Sequence, residues 1–430
     1  MERLMQYIWQ HRLWPKEEMS TVDGRRVHVI DPGRLNTDAG PDFFNAKIRI
    51  GSDMWAGDVE IHVNASDWHR HRHDGDPAYN SVILHVVGRD DMAIKRSDGQ
   101  TIPQMRMPCS PSFSNSYNRL VAESQYALPC RDEIRRMEPV KLHSWIDSLA
   151  YERLYKKAER IEALLKANSG DWESACYITV ARALGFGLNS EPFERLAMST
   201  PLRMLHKHSD SRLSMEAMLF GQSGLLDGAV TDDAYVELLK REYAFLANKF
   251  SLKKPVSLGW KMARMRPPNF PHRRIAFLAA LLFGGFRLMA RITSTSSVDE
   301  ARKLFAVELS GYWASHYTFG GGLEHHTPAA VGRSSVDTLI INAVVPMIHA
   351  YACYIDNQKM AGMAVDMLHQ INSEQNSVVR MFKDNGIDSP DAFTSQALIE
   401  LRREYCETRK CLYCRIGHQF LSNKSKAAEL

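Results

Sequence analysis

The sequence has no run of about 20 uninterrupted apolar residues, the length that a helix needs to cross a bilayer. Its first nine residues, Met-Glu-Arg-Leu-Met-Gln-Tyr-Ile-Trp, lack the apolar centre of a secretion signal. These two absences argue against a membrane-spanning or exported protein. We therefore expect a soluble, cytoplasmic one.

Cysteine is scarce, with seven among 430 residues, and an odd number does not suggest an extracellular disulfide framework. A strong charge bias is also missing. The net charge of +4 and the pI of about 8.6 permit a nucleic-acid partner without requiring one. What is present, 44% hydrophobic and 24% charged residues, is typical of a folded globular protein.

The length and the changing pattern predict several domains, because single cores rarely grow to 430 residues. We expect an α/β domain at 1–110, a Ser-, Pro- and Asn-rich junction at 111–139, a helical domain at 140–400 and a cysteine-bearing segment at 401–430. The predicted fold class is α+β, a mixed N-terminal sheet followed by a large all-α region.

Hydrophobic periodicity predicts the elements of the first domain. An amphipathic helix at 2–14 should end at Pro15, and Gly51-Ser52-Asp53 should join two strands as a hairpin. The predicted strands are Arg25–Ile30, Asp42–Ile50, Trp55–Val63 and the apolar run Val82–Val87. Beyond the junction a helical period starts near residue 142 and recurs at 213–226, 231–249, 272–291, 298–317, 335–355, 359–370 and 391–406.

The hairpin carries the candidate chemistry. Because side chains alternate across a strand, Asp58, Glu60 and His62 should share one face, while Val59 and Ile61 take the other. The turn should place Asp42 level with Glu60, close enough for both carboxylates to hold Mg²⁺ or Mn²⁺. Such an ion polarises a phosphate and lowers the pKa of bound water. The competing interpretation is an ordinary solvated face with Asp42 at a strand end.

A polar connector follows the hairpin and is rich in histidine and acid. His71, His73, Asp76 and Tyr79, together with His85 on the next strand, are candidates to line the site with Asp58. Burying such a cluster without a ligand or mutual pairing would be costly. The alternative is an exposed polar turn, which we favour for His69.

This part of the chain resembles the PD-(D/E)XK nuclease superfamily through Pro41-Asp42 and Glu60-Ile61-His62. The resemblance implies a restriction-endonuclease-like core of helix, three strands, helix and strand, with Asp42 and Glu60 as metal ligands and the Ile61 carbonyl as a further one. His62 stands where that superfamily has lysine. A neutral imidazole orients water but supplies no permanent positive charge.

Three cysteines near the end, Cys406, Cys411 and Cys414, have metal-ligand spacing, since Cys-x2-Cys grips one ion from a tight turn. His418 would complete a local zinc site. Cys130 would instead complete a four-cysteine site for zinc or a [4Fe–4S] cluster. The alternative of free buried thiols is disfavoured by the polar turn around two of them.

A proline-broken loop concentrates basic side chains suited to phosphates: Lys261, Arg264, Arg266, Arg273 and Arg274. The ordinary alternative is a loop whose prolines and aromatics lock helix packing.

The whole chain resembles an uncharacterised bacterial family known only as a domain of unknown function. Gly57–His62, Leu128-Pro129-Cys130 and Glu216–Gln222 carry this resemblance, with Arg264–Pro271 and the stretch from Ser395 to Gly417. It implies no activity. Two hypotheses follow from the residues: a metal-dependent phosphodiesterase acting on DNA or RNA, with Asp42 and Glu60 holding the ion and His62 orienting water, or a non-catalytic nucleic-acid-binding or scaffold protein with a degenerate nuclease fold.

Overall fold

A computed structural model describes residues 1–14, 19–36, 39–107, 115, 117–118, 128–229, 233–255, 257–263, 265–285, 287–322 and 330–427. The chain divides into two compact units. The first comprises 1–145, 384–387 and 401–430, and the second comprises 146–383 and 388–400. The predicted class, a mixed N-terminal sheet followed by a large helical region, is confirmed.

The first unit contains the larger sheet and short helices. Its strands are β1 (Met19–Ser20), β2 (Arg26–Asp31), β3 (Arg34–Leu35), β4 (Phe43–Ile50), β5 (Asp53–Asn64), β6 (Val82–Arg89) and β7 (Gln104–Arg106). Its helices are α1 (Glu2–Gln10), α2 (Asp67–Arg70), α3 (Arg131–Arg136) and α18 (Arg415–Ala427). The helix predicted to run to Pro15 ends at Gln10, and Arg12 has a left-handed φ of 53°.

The sheet runs in the order β1-β2-β4-β5-β6-β7, with β3 paired to β4. The neighbours from β1 to β5 pair antiparallel, and β5, β6 and β7 pair parallel. The Val22 N–H donates to the Gln104 carbonyl at 2.7 Å, so the two ends of the sheet meet and it nearly closes. The parallel β5–β6 pair requires a crossover connection, and α2 with two 3₁₀ turns supplies it.

One face of the sheet packs against α1. Leu4, Ile8 and Trp9 of the helix and Val59 and Ile61 of β5 are all at most 1% exposed and share one hydrophobic core. The spacing of Leu4, Ile8 and Trp9 is that of one helix face, and Val59 and Ile61 alternate along the strand. The opposite face of β5 is thereby left for Glu60 and His62.

The second unit is helical apart from a two-stranded sheet, β8 (His316–Thr318) with β9 (Gly321–Gly322). Its helices are α4 (Pro139–Ala167, which begins in the first unit), α5 (Trp172–Leu184), α6 (Ser190–Ser199), α7 (Leu202–His206), α8 (Arg212–Ser223), α9 (Ala234–Phe250), α10 (Pro271–Leu282), α11 (Leu288–Thr293), α12 (Val298–Leu304), α13 (Arg333–Leu339), α14 (Val345–Tyr354), α15 (Gln358–Gln370), α16 (Ser377–Asp384) and α17 (Ala392–Glu400). A π-helical segment occupies Ile340–Val344 in this unit, and another occupies Leu401–Cys406 in the first unit.

Two further predicted helices, both in the second unit, are wrong in extent. The stretch 272–291 is broken into α10 and α11, because Gly284 and Gly285 both adopt left-handed φ values, 77° and 72°. The stretch 298–317 stops being an α-helix at Leu304 and ends in strand β8.

One continuous helical stretch, Arg333–Tyr354, is long and apolar enough by composition to cross a membrane. However, 72% of its most apolar window is buried inside the structure. A helix that is apolar all round and buried is what the core of a soluble protein contains.

Candidate functional site

The β4–β5 hairpin brings Asp42 and Glu60 together. Phe43 pairs with Val59, which places the preceding Asp42 level with Glu60, as the turn predicted. The Asp42 N–H donates to Glu60 Oε2 at 3.0 Å, and the Ile61 N–H donates to Asp42 Oδ2 at 3.0 Å. Each carboxylate is therefore held by a backbone N–H of the opposite strand segment, Glu60 by that of Asp42 and Asp42 by that of Ile61.

The polar face of β5 is not solvated, so the interpretation of it as an ordinary exposed face is wrong. Glu60 is 5% exposed, His62 is 1% exposed and His85 on the neighbouring strand β6 is fully buried. The crossover connection covers this face, placing His73 and Tyr79 over it with their rings stacked at 3.8 Å. His71 lies at the exposed edge.

Four polar side chains converge on one point of this covered face. His62 Nε2 lies 3.1 Å from His71 Nδ1 and 3.4 Å from Glu60 Oε1. His73 Nε2 lies 3.3 Å from the same Glu60 oxygen. The other ring nitrogen of His62, Nδ1, faces His85 Nε2 at 2.9 Å. The connector predicted to line the site thus contributes His71 and His73 directly.

The charge of this cluster is poorly compensated. Burial raises the pKa of Asp42 to about 7, reinforced by the Glu60 charge, and burial raises the pKa of Glu60 to about 8. Burial also lowers the pKa of His62 to about 3 and holds the pKa values of His73 and His85 below their usual range. Among the described residues, only histidines form ion pairs with Glu60. The carboxylates must hold protons or a cation that comes from outside the chain.

The remaining predicted lining residues have local roles. Asp58 accepts hydrogen bonds from the Asn45 N–H at 3.0 Å and the Ser81 hydroxyl at 2.6 Å, which holds the bulge where β4 shifts register. Asp76 caps the second 3₁₀ turn, Pro77–Tyr79, where its Oδ1 accepts a hydrogen bond from the Ala78 N–H at 2.9 Å. His69 is exposed and pairs with Asp74, as favoured for it.

Sequence reasoning missed two contributors. Gln6 of α1 donates from Nε2 to Asp42 Oδ1 at 2.9 Å, and its only signal was a polar residue within an apolar helical stretch. Trp68 is fully buried, with its ring 5.4 Å from those of His73 and His85. Its indole packs against the His73 and His85 rings and so keeps water away from that side of them.

A second cluster consists of the four cysteines Cys130, Cys406, Cys411 and Cys414. The pKa of Cys130 rises to about 12, first because of burial and then because of Cys414 and Cys411. The same pattern, burial followed by neighbouring thiols, raises the pKa values of Cys406 and Cys411. The chain thus brings Cys130 to the C-terminal trio from far away in sequence.

Cys414 is surrounded by hydrogen-bond donors. Burial raises its pKa, while the backbone N–H groups of Ile416 and Gly417 at the start of α18 and the Trp145 side chain lower it. Trp145 is buried, with 7% of its surface exposed. Its Nε1 has no conventional hydrogen-bond partner in the described structure, and the Cys414 sulfur is the group on which it acts. A Cβ on Gly417 would lie 2.1 Å from the Cys411 carbonyl oxygen, so only glycine permits this close turn.

His418, the other candidate for the fourth ligand, is engaged elsewhere. Its Nδ1 hydrogen-bonds with the Tyr7 hydroxyl, and its ring packs edge-on against His11 at 5.2 Å. Its pKa is lowered by burial.

The predicted phosphate-binding loop is divided. Lys261 and Arg266 are exposed, whereas Arg264 lies outside the described residues. Arg273 and Arg274 are each 4% exposed, with their guanidinium groups over the Tyr317 and Phe186 rings. These two arginines therefore pack inside the helical unit instead of presenting their charge to a ligand, which corrects the prediction for them.

Comparison with known proteins gives a family but no activity. No curated protein and no solved structure matches the chain. The profile of one family, described as a protein of unknown function (DUF2851), matches residues 2–377. This match extends through the sheet, the hairpin site and most of the helical unit. The chain therefore belongs to the DUF2851 family.

Proposed function

We propose that this protein is a divalent-metal-dependent phosphodiesterase acting on DNA or RNA, with Asp42 and Glu60 holding Mg²⁺ or Mn²⁺ and His62 orienting the attacking water. The observation that carries this proposal is a pair of facing carboxylates, Glu60 buried and Asp42 half-buried, whose pKa values are raised to about 8 and about 7. A hard cation with oxygen ligands would compensate both charges.

The chemistry follows from that cation. A bound divalent ion polarises a phosphoryl oxygen and makes its own water more acidic. His62 stays neutral and lies 3.4 Å from Glu60 Oε1, so it is placed to accept a hydrogen bond from water bound beside the carboxylate. With a pKa of about 3 it is a weak base, and we assign it orientation of the water instead of proton abstraction.

The finer proposal is that the core derives from the PD-(D/E)XK nucleases. It is supported by Pro41-Asp42 and Glu60-Ile61-His62 on adjacent hairpin strands and by a preceding helix. Two features differ from what that resemblance implies: only a four-residue helix, α2, and 3₁₀ turns join β5 to β6, and histidine replaces lysine.

Nucleic acid is the proposed substrate class because phosphodiester groups suit a metal site with cations nearby. Arg72, next to the exposed His71, is itself exposed on the connector. In the helical unit, the exposed Lys261 and Arg266 are proposed phosphate contacts. The rival function, a non-catalytic binding or scaffold protein, is favoured by the neutral histidine in the lysine position.

Calorimetry with Mn²⁺ and Mg²⁺, followed by cleavage assays on plasmid and oligonucleotide DNA and RNA, tests the proposal. Asp42→Asn should weaken binding of both ions and abolish cleavage, because an anionic ligand of a hard cation is lost. Asp74→Asn, at an exposed carboxylate of the same connector, is the matched control and should behave as wild type. Unchanged ion binding in Asp42→Asn would refute the metal site, and ion binding without cleavage would leave the scaffold function.

For the cysteine cluster we propose a resident metal group with Cys130, Cys406, Cys411 and Cys414 as its ligands. Tetrahedral zinc with Zn–S bonds of ~2.3 Å holds thiolates about 3.8 Å apart. Four free thiols supply the sulfur ligands that either tetrahedral zinc or a [4Fe–4S] cluster needs.

A further inference from the structure

The histidines over β5 form a group distinct from the Asp42–Glu60 carboxylates in its ligand chemistry. His62, His71 and His73 each offer one ring nitrogen, and these three atoms lie within 4.8 Å of one another. Glu60 Oε1 lies 3.4 Å from His62 Nε2 and 3.3 Å from His73 Nε2. Glu60 Oε2 faces the other way, toward the Asp42 N–H.

We propose that His62, His71 and His73 bind a transition-metal ion of the zinc class, with Glu60 shared between this ion and the hard cation beside Asp42. The proposal rests on the proposed function through that shared carboxylate, and when the second ion is bound His62 ligates it through Nε2 instead of orienting water. The protein would then hold two different metals. Imidazole ligands favour the zinc-class ion, whereas carboxylate oxygens favour the Mg²⁺ or Mn²⁺ beside Asp42.

The distances fit such an ion. A metal with M–N bonds of about 2.0–2.1 Å and tetrahedral angles separates its ligand atoms by about 3.3 Å. His62 Nε2 and His71 Nδ1 are 3.1 Å apart, and the two contacts to Glu60 Oε1 are 3.3 and 3.4 Å. The imidazole and carboxylate atoms therefore already approach the separations that a shared ion imposes.

The protonation of His62 also fits. A ligating histidine usually donates its other ring N–H to a neighbour, which fixes the tautomer and frees the ligating nitrogen. His62 Nδ1 lies 2.9 Å from His85 Nε2, so an Nδ1–H donated there leaves the Nε2 lone pair facing His71 and Glu60. His85 is fully buried and packs against Trp68, which holds this orienting ring in place.

The site is accessible from one side. His62 is 1% exposed, His73 is 9% exposed, and His71 is exposed at the surface end of the group. An ion can enter past His71 while the inner ligands stay dry. Binding a metal between the three imidazoles and the Glu60 carboxylate would stabilise a polar cluster in which, among the described residues, no lysine or arginine forms an ion pair with Glu60.

Cobalt is the probe for the test, because its visible absorption reports the ligands. Metal-stripped protein should bind one Co²⁺ with a nitrogen- and oxygen-ligand spectrum, apart from any sulfur-to-metal charge-transfer band due to the cysteines. His71→Ala should weaken that site at least tenfold. It is the preferred variant because His71 is exposed and its loss leaves the core intact. His73→Gln provides a second variant at an inner ligand.

His69→Ala is the matched control, since His69 lies in the same connector, is exposed and pairs with Asp74 outside the group. It should retain full Co²⁺ binding. Retention of the nitrogen-ligand spectrum in both His71→Ala and His73→Gln would overturn the proposal, as would failure of wild type to bind Co²⁺ there. Asp42→Asn should leave Co²⁺ binding within a few-fold, so failure of the carboxylate cation site and failure of this one are measured separately.

Discussion

Buried acids are treated differently in the two units. In the helical unit, Glu194 is 6% exposed and pairs with Arg160 and Arg182, and Glu400 is 2% exposed and pairs with Arg153 and Lys156. In the sheet unit, Glu60 is as deeply buried but its ion-pair partners are neutral histidines. The first arrangement is complete within the chain. In the second, burial raises the pKa of Glu60 to about 8, so the carboxyl holds a proton unless a cation replaces it, and such a perturbed group marks a candidate site.

The largest effect is expected at the cysteine cluster of the sheet unit. Cys130→Ser should lose the metal and destabilise the protein by several kcal/mol, because the binding energy of a site that exists only in the folded chain becomes folding energy. Iron and zinc analysis with visible absorption after anaerobic purification, followed by thermal unfolding, measures both effects.

Cys353→Ser is its control, since Cys353 is an exposed thiol of the helical unit. It should keep wild-type metal content. A brown protein with about four irons per chain supports the cluster. Stoichiometric zinc without iron would establish the alternative metal, and a Cys130→Ser protein with unchanged metal content would exclude Cys130 as a ligand.

The next effect contrasts the two buried acids directly, with opposite signs. Arg153→Met should lower the free energy of unfolding by on the order of 3 kcal/mol, because it removes one cation from the buried Glu400. Glu60→Gln should instead raise it by on the order of 2 kcal/mol in metal-free protein at pH 9, because a buried charge is removed. Denaturant unfolding in the presence of a chelator measures both.

The pH dependence of the Glu60→Gln effect has a definite direction. A carboxyl whose folded pKa is raised, here from 4.5 to about 8, stabilises the fold below the lower value and loses that contribution as pH rises through the higher one. The gain from glutamine should therefore be absent near pH 4 and full at pH 9. A gain that is independent of pH would show that Glu60 is not the titrating group. Arg203→Met, at an exposed arginine, is the control for Arg153→Met and should leave the free energy of unfolding unchanged.

The smallest effect concerns a buried histidine without ligands around it. His272 in the helical unit is 6% exposed and faces the Phe220, Trp313 and Phe319 rings, and burial lowers its pKa to about 4. A histidine whose folded-state pKa is lowered contributes stability above pH 6.5, and the protein loses this contribution as the pH falls toward the folded-state pKa. Wild type should lose about 1 kcal/mol more than His272→Phe between pH 6.5 and about 5.5. If the free energies of unfolding of the two proteins change in parallel with pH, His272 is not the titrating group. Both proteins are expected to bind metal equally.

Local periodicity made part of the site predictable. The alternation of Val59 and Ile61 with Glu60 and His62 follows from the two-residue period of a strand, and the short turn after Ile50 sets the hairpin register. The break within 272–291 was missed because apolar residues continue on both sides of Gly284 and Gly285, so the hydrophobic period carries no sign of it.

Burial was the property that the sequence left open. Arg273 and Arg274 resemble any exposed basic pair in a linear pattern, and only packing places their guanidinium groups over aromatic rings. The covering of Glu60 and His62 likewise depends on where the crossover connection lies, which the histidine-rich pattern of that segment does not specify.

The sequence by itself determined the hairpin, the facing of Asp42 and Glu60, and a cysteine trio at metal-ligand spacing, because each depends on residues joined by a short stretch of chain with a regular period. Only the tertiary structure decided that Gln6 reaches Asp42, that Cys130 joins the trio, and that neutral histidines surround Glu60 where arginine and lysine surround Glu400. These contacts join segments far apart in the chain, and their geometry comes from the packing of whole elements around a core, which no local pattern encodes.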